Sequence, residues 1–173
     1  MSVGSADLWS AIYTAWQASG LDSLFRARWS TAGKSNIDYL TLNDGDDGPQ
    51  PPLPYCVAEL SSSSTKTRMS WVGSRINGVN TFPSREFREA MLTLSVHTGP
   101  YGGSSAKATA AYLVEEVMKV FGGHPSVSAG ALSLSNGSML LCQFQSDSLE
   151  REPQNRYQGM LIYRLLADVP VAM

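Results

Sequence analysis

The sequence predicts an α+β domain, a mixed or antiparallel β-sheet with two helices packed mainly on one face. Residues Ser104 to Phe121 carry Ala110, Leu113, Val114, Val117, Met118 and Phe121 at the intervals that lay one apolar stripe along a helix. Phe87 to Thr98 and Arg156 to Asp168 alternate instead with the period of two that belongs to strands. The order helix, strands, helix, strands is then packed most economically as one sheet covered on one side.

Length and composition bound the rest. A chain of 173 residues suffices for one well-buried core and is short for two, so 1–173 reads as a single domain with a long loop at about 61–86 and a tail at about 169–173. Hydrophobic residues make up 43% and charged ones 16%, which fits an ordered globular protein and excludes a disordered one. A formal charge of -2 gives no general drive toward nucleic acid or anionic lipid. Cys56 and Cys142 both sit in strand-like runs and read as buried thiols of a cytosolic protein rather than a disulfide. The opening MSVGSADLWSAIYTAW has neither the basic nor the apolar region of a secretory signal, and no apolar run approaches the ~18 residues of a membrane span. The expectation is a soluble, unexported protein.

Taken in order, Asp7 to Ser19 is the first helix, with Ser5 or Asp7 as its cap and Leu8, Ile12, Ala15 and Ser19 at helical spacing. Trp9, Tyr13 and Trp16 form a second stripe, assigned to the core rather than to an adhesive surface. Leu21 to Trp29 has room for one more short element, and Ser30 to Asn36 is polar loop. Ile37 to Leu42 alternates weakly before DGDDGPQPPLP breaks regular structure. Asp44, Asp46 and Asp47 have the close carboxylate spacing used for hard cations, but the glycine and glutamate of a helix-loop-helix calcium site are missing, so the segment reads as an acidic, solvated turn. Tyr55 to Leu60 resumes as a strand.

Ser61 to Arg85 is the least regular part. It holds Lys66, Arg68, Arg75 and Arg85 and no acidic residue, whereas Ile37 to Leu60 holds five acidic residues and no basic one. Such segregation reads equally as a solvated loop beside an unrelated acidic turn, or as complementary surfaces that meet between copies or on a partner. In the strand Phe87 to Thr98, Ala90, Leu92, Leu94 and Val96 share one face and Met91, Thr93, Ser95 and His97 the other. His97 has no cysteine, carboxylate or second histidine two or four residues away and reads as a plain strand histidine. Gly99 to Lys107 places glycines and a lysine before a helix as phosphate loops do, yet the glycine-lysine-serine string is absent, so it reads as a strand-to-helix turn.

Ser104 or Ser105 caps the core helix and Gly122-Gly123 with Pro125 ends it; at about 1.5 Å per residue it is ~27 Å long, enough to cross a sheet. His124 follows in a loop and is isolated in sequence. Asn136-Gly137 is a strong hairpin signal between Ala131 to Ser135 and Ser138 to Ser146, predicting Leu134 opposite Met139 and Leu132 opposite Leu141. The second of these strands is apolar on both faces, which predicts a central position. Asp147 to Asn155 reads as a charged loop, and Arg156 to Asp168 as the last strand, with Tyr157, Gly159, Leu161, Tyr163 and Leu165 on one face and Met160, Ile162, Arg164 and Leu166 on the other. Apolar residues on the second sheet face mark a surface for association.

The pattern resembles the tail terminator (tail completion) proteins of long-tailed bacteriophages. The segments that carry the resemblance are ADLWSAIYTAWQAS, PLPYCVAEL, REFREAMLTLSVHTG, SSAKATAAYLVEEVMKVFGG and SMLLCQFQSDSLEREPQNRYQGMLIYRLLADVP, which together cover most of residues 7 to 169. None is a short invariant motif, and Ser61 to Arg85 is longer than the family pattern.

The resemblance implies a non-enzymatic virion protein without cofactor, metal, membrane or nucleic-acid sequence recognition. It implies a hexameric ring of copies, assembled in the host cytoplasm onto the head-proximal end of the tail tube. There the ring stops tube polymerisation and offers a surface to neck and head-completion proteins. Candidate subunit or tube contacts are the acidic Asp44, Asp46 and Asp47, the basic Lys66, Arg68, Arg75 and Arg85, and the charged Glu150, Arg151 and Glu152. A neck or head-completion adaptor bound to the portal is the alternative. A small ligand-binding or enzymatic domain using Gly99 to Lys107 with His97 or His124 is a more distant one, since no third convergent group is evident.

Overall fold

The structure, a computed structural model, describes residues 3–28, 40–42, 52–62, 67–69, 85–125, 132–134 and 138–170. Its elements are α1 (Val3–Ala18), α2 (Leu21–Arg26), β1 (Leu40–Leu42), β2 (Tyr55–Ser62), β3 (Thr67–Met69), β4 (Arg85–Thr98), α3 (Ala106–Phe121), β5 (Ser138–Glu152) and β6 (Arg156–Pro170). The architecture is α+β, as expected, with three helices where two were predicted: Gly20, in the left-handed region at φ 75°, separates α2 from α1.

Alternation in β4 and β6 decides which way the sheet faces. The two strands pair antiparallel along their whole length, with Leu92 opposite Tyr163 and Leu94 opposite Leu161. These four side chains are fully buried together with Val96 and Leu165. β2 joins the other edge of β4 and brings Cys56 and Ala58 to the same face, opposite Val96 and Leu94. The strand order is β1-β2-β4-β6-β5, with β3 pairing the start of β4; β1 alone is parallel to its neighbour, so the sheet is mixed.

All three helices bury their apolar stripes in one cluster with that face. Leu8, Ile12 and Trp16 of α1, Leu21 and Phe25 of α2, and Leu113, Val117 and Phe121 of α3 belong to it. Fully burying a side chain of this size contributes roughly 1.5–3 kcal/mol each, which is why the stripe rather than helix propensity holds α3 in place. Trp16 is completely buried against Phe25 and Trp9 half-buried, while Tyr13 remains exposed, so most but not all of the aromatic stripe is core. Val114 lies over Gly159 of β6, where the missing side chain leaves room for it. On the opposite face Val57, Met91, Met160, Ile162 and Leu166 are half-buried rather than exposed.

Several boundaries differ from expectation. α1 begins at Val3, so Ser5 and Asp7 lie inside its first turns rather than capping it. Of the two caps predicted for α3, Ser105 serves, its hydroxyl accepting from the Ala108 N–H at 3.2 Å. The stretch predicted as loop from Ser61 to Arg85 contributes the end of β2, the short β3 and the start of β4. The predicted turn at Asn136-Gly137 lies outside the described residues; on its first flank residues 132–134 are not strand, and on its second Ser138, Met139 and Leu141 pair with Asp168, Ala167 and Leu166 of β6. Leu132 is nevertheless buried in the core, so its apolar run serves packing and not pairing. Among the described strands β5 is therefore an edge strand and not a central one. It also extends through the segment predicted as a charged loop, reaching Glu152 before a turn at Pro153, Gln154 and Asn155. Polar side chains fit that strand because Gln145 to Arg151 are all exposed, with no core face to fill.

Candidate assembly interface

The predicted contact residues divide between the two edges of the sheet. Arg68 lies in β3 opposite Glu86, and Arg85 begins β4 opposite Met69, so backbone pairing collects two of the basic residues at one corner. Glu150, Arg151 and Glu152 end β5 at the opposite edge, beyond β6. Within one copy the basic corner and this charged strand end are thus separated by β4 and β6. Asp44, Asp46, Asp47, Lys66 and Arg75 lie outside the described residues.

The β5–β6 turn owes its shape to local backbone chemistry. Gln154 and Asn155 both take left-handed dihedrals, φ 62° and 57°, a conformation Asn tolerates better than most residues. Arg151 Nη2 donates to Asn155 Oδ1 at 3.3 Å, and the Arg156 N–H donates to the Pro153 carbonyl at 3.4 Å. Glu150 and Arg151 are exposed on this strand end, whereas Glu152 is half-buried.

Glu152 faces a cluster that the sequence did not announce. Its Oε1 lies 3.1 Å from His97 Nδ1 of β4, and the His97 ring stacks on Tyr55 of β2 at 4.8 Å between centroids. Burial raises the Tyr55 phenol above its ordinary pKa, the Glu152 charge raises it further, and Arg156 lowers it. Residues from β2, β4, β5 and β6 so converge at one end of the half-buried face. His97 is a strand histidine, as expected, and its carboxylate partner comes from 55 positions away, beyond any local spacing. His124, likewise isolated in sequence, stands 3.1 Å from Glu115 of α3. Only a prediction of which strands are neighbours could have found the first pair, whereas the second is local, nine positions apart across the end of α3.

The Gly99 to Lys107 segment is built as a turn. Gly102 and Gly103 occupy the left-handed region, Tyr101 and Ser104 exchange backbone hydrogen bonds, and Thr98 Oγ1 donates to the Ala106 carbonyl at 3.0 Å. Beside it an open groove of about 560 Å³ is lined by Arg28, Tyr101, Ser104, Thr109 and Tyr112 among others. Arg28 lies 4.3 Å over the Tyr112 ring, and the Tyr101 hydroxyl donates to the Ala27 carbonyl at 2.7 Å. His97 is turned to Tyr55 and Glu152, and His124 sits past the far end of α3, so neither converges with Lys107. Among the described residues no group of three His, Cys, Asp or Glu could hold a metal ion, and no helix is long and apolar enough to cross a membrane.

No family model matches the chain, and no curated protein matches it either. Solved structures do. One chain of the virion of a native gene transfer agent particle is similar over 97% of this chain and 99% of its own length, with a TM-score of 0.50 at 18% identity. This chain shares its fold with a virion component. The likeness spans nearly the whole of both chains rather than one motif.

Proposed function

We propose that the chain is a structural protein of a phage-like virion, and within it a tail terminator. The observation that carries this reading is the match to a gene transfer agent virion chain, which covers 97% of this chain and 99% of that one. The resemblance of its element order to tail terminators supplies the finer role.

In that role copies of the chain form a hexameric ring on the head-proximal end of the tail tube. A tube end presents subunit surfaces without a partner. A ring of matching symmetry occupies them and blocks further addition, through a heterologous interface that closes by rotation. The opposite side of the ring is then available to neck and head-completion proteins. No bond is made or broken, so the protein acts as no enzyme and uses no cofactor. Its place is the tail or neck of the virion, reached by assembly in the host cytoplasm.

Light scattering across a concentration series, followed by electron microscopy of the protein mixed with tail tubes, tests the reading. The expected result is a hexamer, or a monomer that caps one end of the tubes and halts their growth. Binding to portal rings and never to tubes would replace the terminator by a neck adaptor. A monomer that ignores both would overturn the virion reading.

A further inference from the structure

We infer that the outer edge of β5, from Ser146 to Glu152, is where a second copy adds its β3 edge, making the sheet continuous between neighbours. The inference rests on the ring reading above and names the surfaces that close the ring.

Three observations carry it. First, β5 ends the strand order, and among the described residues nothing pairs with its outer side. Past two register shifts the strand becomes regular, matching Ser146 through Glu152 one-to-one with Ile162 through Arg156. An ordered ladder of backbone donors and acceptors therefore faces outward, and side chains 146 to 151 are exposed on both faces of the strand, so no helix covers it. Leu149, one of the few large apolar residues that is exposed, lies in the middle of the segment. Long uncovered edges of this kind are templates for an added strand.

Second, the direction is right. β4 is antiparallel to β6 and β6 to β5, so β5 runs the same way as β4; β3 is antiparallel to β4. A β3 strand added beside β5 without inverting the sheet is thus antiparallel to it, as are the neighbouring long strands. The two edges differ, so the contact is heterologous and repeats from copy to copy.

Third, charge selects the partner. Ser146 to Glu152 contains Asp147, Glu150 and Glu152 against Arg151 alone, an acidic edge. At the β3 corner Arg68 and Arg85 outnumber Glu86, and the surrounding stretch Ser61 to Arg85 has no acidic residue. The competing edge strand β1 is flanked in sequence by Asp38, Asp44, Asp46 and Asp47, which disfavour it as a partner for an acidic edge. Such charges fix register and suppress wrong pairings more than they add affinity.

The test combines charge reversal with cross-linking, read by light scattering and microscopy with tail tubes. Glu150→Lys and Arg68→Glu should each lower ring formation about tenfold or more in concentration while the circular dichroism of the free chain is unchanged, and the double variant should recover most of the loss. A Ser148→Cys, Thr67→Cys protein should form a ladder of disulfide-linked oligomers only when rings are present. Rings that form as readily in both reversals as in wild type, without such a ladder, would overturn the edge pairing and leave the ring reading standing. Wild type that forms no ring alone or on tubes would overturn both.

Discussion

Val114 of α3 occupies the space that a side chain at Gly159 of β6 would need: a Cβ built on Gly159 would overlap Val114 Cγ2. The helix is seated against backbone at this point, and the contact fixes how deeply α3 lies on the sheet. Gly159→Ala is expected to lower the unfolding free energy by about 1–3 kcal/mol, the usual range for overpacking a core. Urea denaturation would show a lower midpoint at unchanged slope, and Val114→Ala in the same chain should return part of the loss because the two positions share one space.

The first turn of α3 depends on Ser105, whose hydroxyl accepts from the Ala108 N–H. Ser105→Ala should cost about 0.5–2 kcal/mol and Ser105→Asp far less, since the carboxylate can take the same position. Paired thermal melts followed by circular dichroism distinguish the two.

Alkaline pH should destabilise the fold. Burial pushes the Cys142 thiol up to about 11, raises the Cys56 thiol strongly, and raises the Tyr163 phenol well above its usual range, with the neighbouring thiols and Asp147 adding to the last. Each of these groups keeps its proton more tightly when folded than when unfolded. Below the ~8.5 of an ordinary thiol both states hold the protons, so this contribution is fully present. As pH rises past each group's ordinary value, about 8.5 for a thiol and about 10 for the phenol, the unfolded chain releases a proton that the folded chain retains, and stability falls by about 1.4 kcal/mol per pH unit for each such group. Urea midpoints measured from neutral to alkaline pH should therefore decline, and Cys142→Ala should make the decline shallower.

Glu152 and Tyr55 are coupled through charge as well as through their shared contact with His97. Removing the negative charge with Glu152→Gln should make the Tyr55 phenolate easier to form and so lower its titration midpoint. Ultraviolet difference titration of the two proteins measures it. Because the His97–Glu152 pair is partly exposed, with side-chain exposures of 17% and 26%, the same substitution should alter stability by only about 0–1 kcal/mol.

What could be read from the sequence follows from how far each signal reaches. The α3 stripe and the two faces of β4 and β6 were legible because helix and strand periods are local, and the buried residues of these elements match that reading. The role of β5 was not. Its two-sided apolar start suggested a central strand, but its partner is β6, and Leu132, predicted to pair with it, is buried in the core outside any strand. A charged sequence from Asp147 onward looked like a loop because strand periodicity disappears where neither face is buried. The cluster at Tyr55, His97 and Glu152 was invisible for a related reason: its members lie on three strands, and only cross-strand register joins them.

The placement of β6 between β4 and β5 has a consequence for synthesis. The pairs that join β4 to β6 link residues 59 positions apart at Thr98 and Tyr157 and 85 apart at Arg85 and Pro170, each the difference of the two residue numbers. Until residues 156–170 have left the ribosome, β4 lacks its partner on that side and the stripe of α3 has no finished surface to dock on. Loop closure over such spans also slows folding. The nascent chain therefore holds an apolar β4 with one edge open for as long as the intervening residues take to be made, and that interval is where a chaperone would engage it.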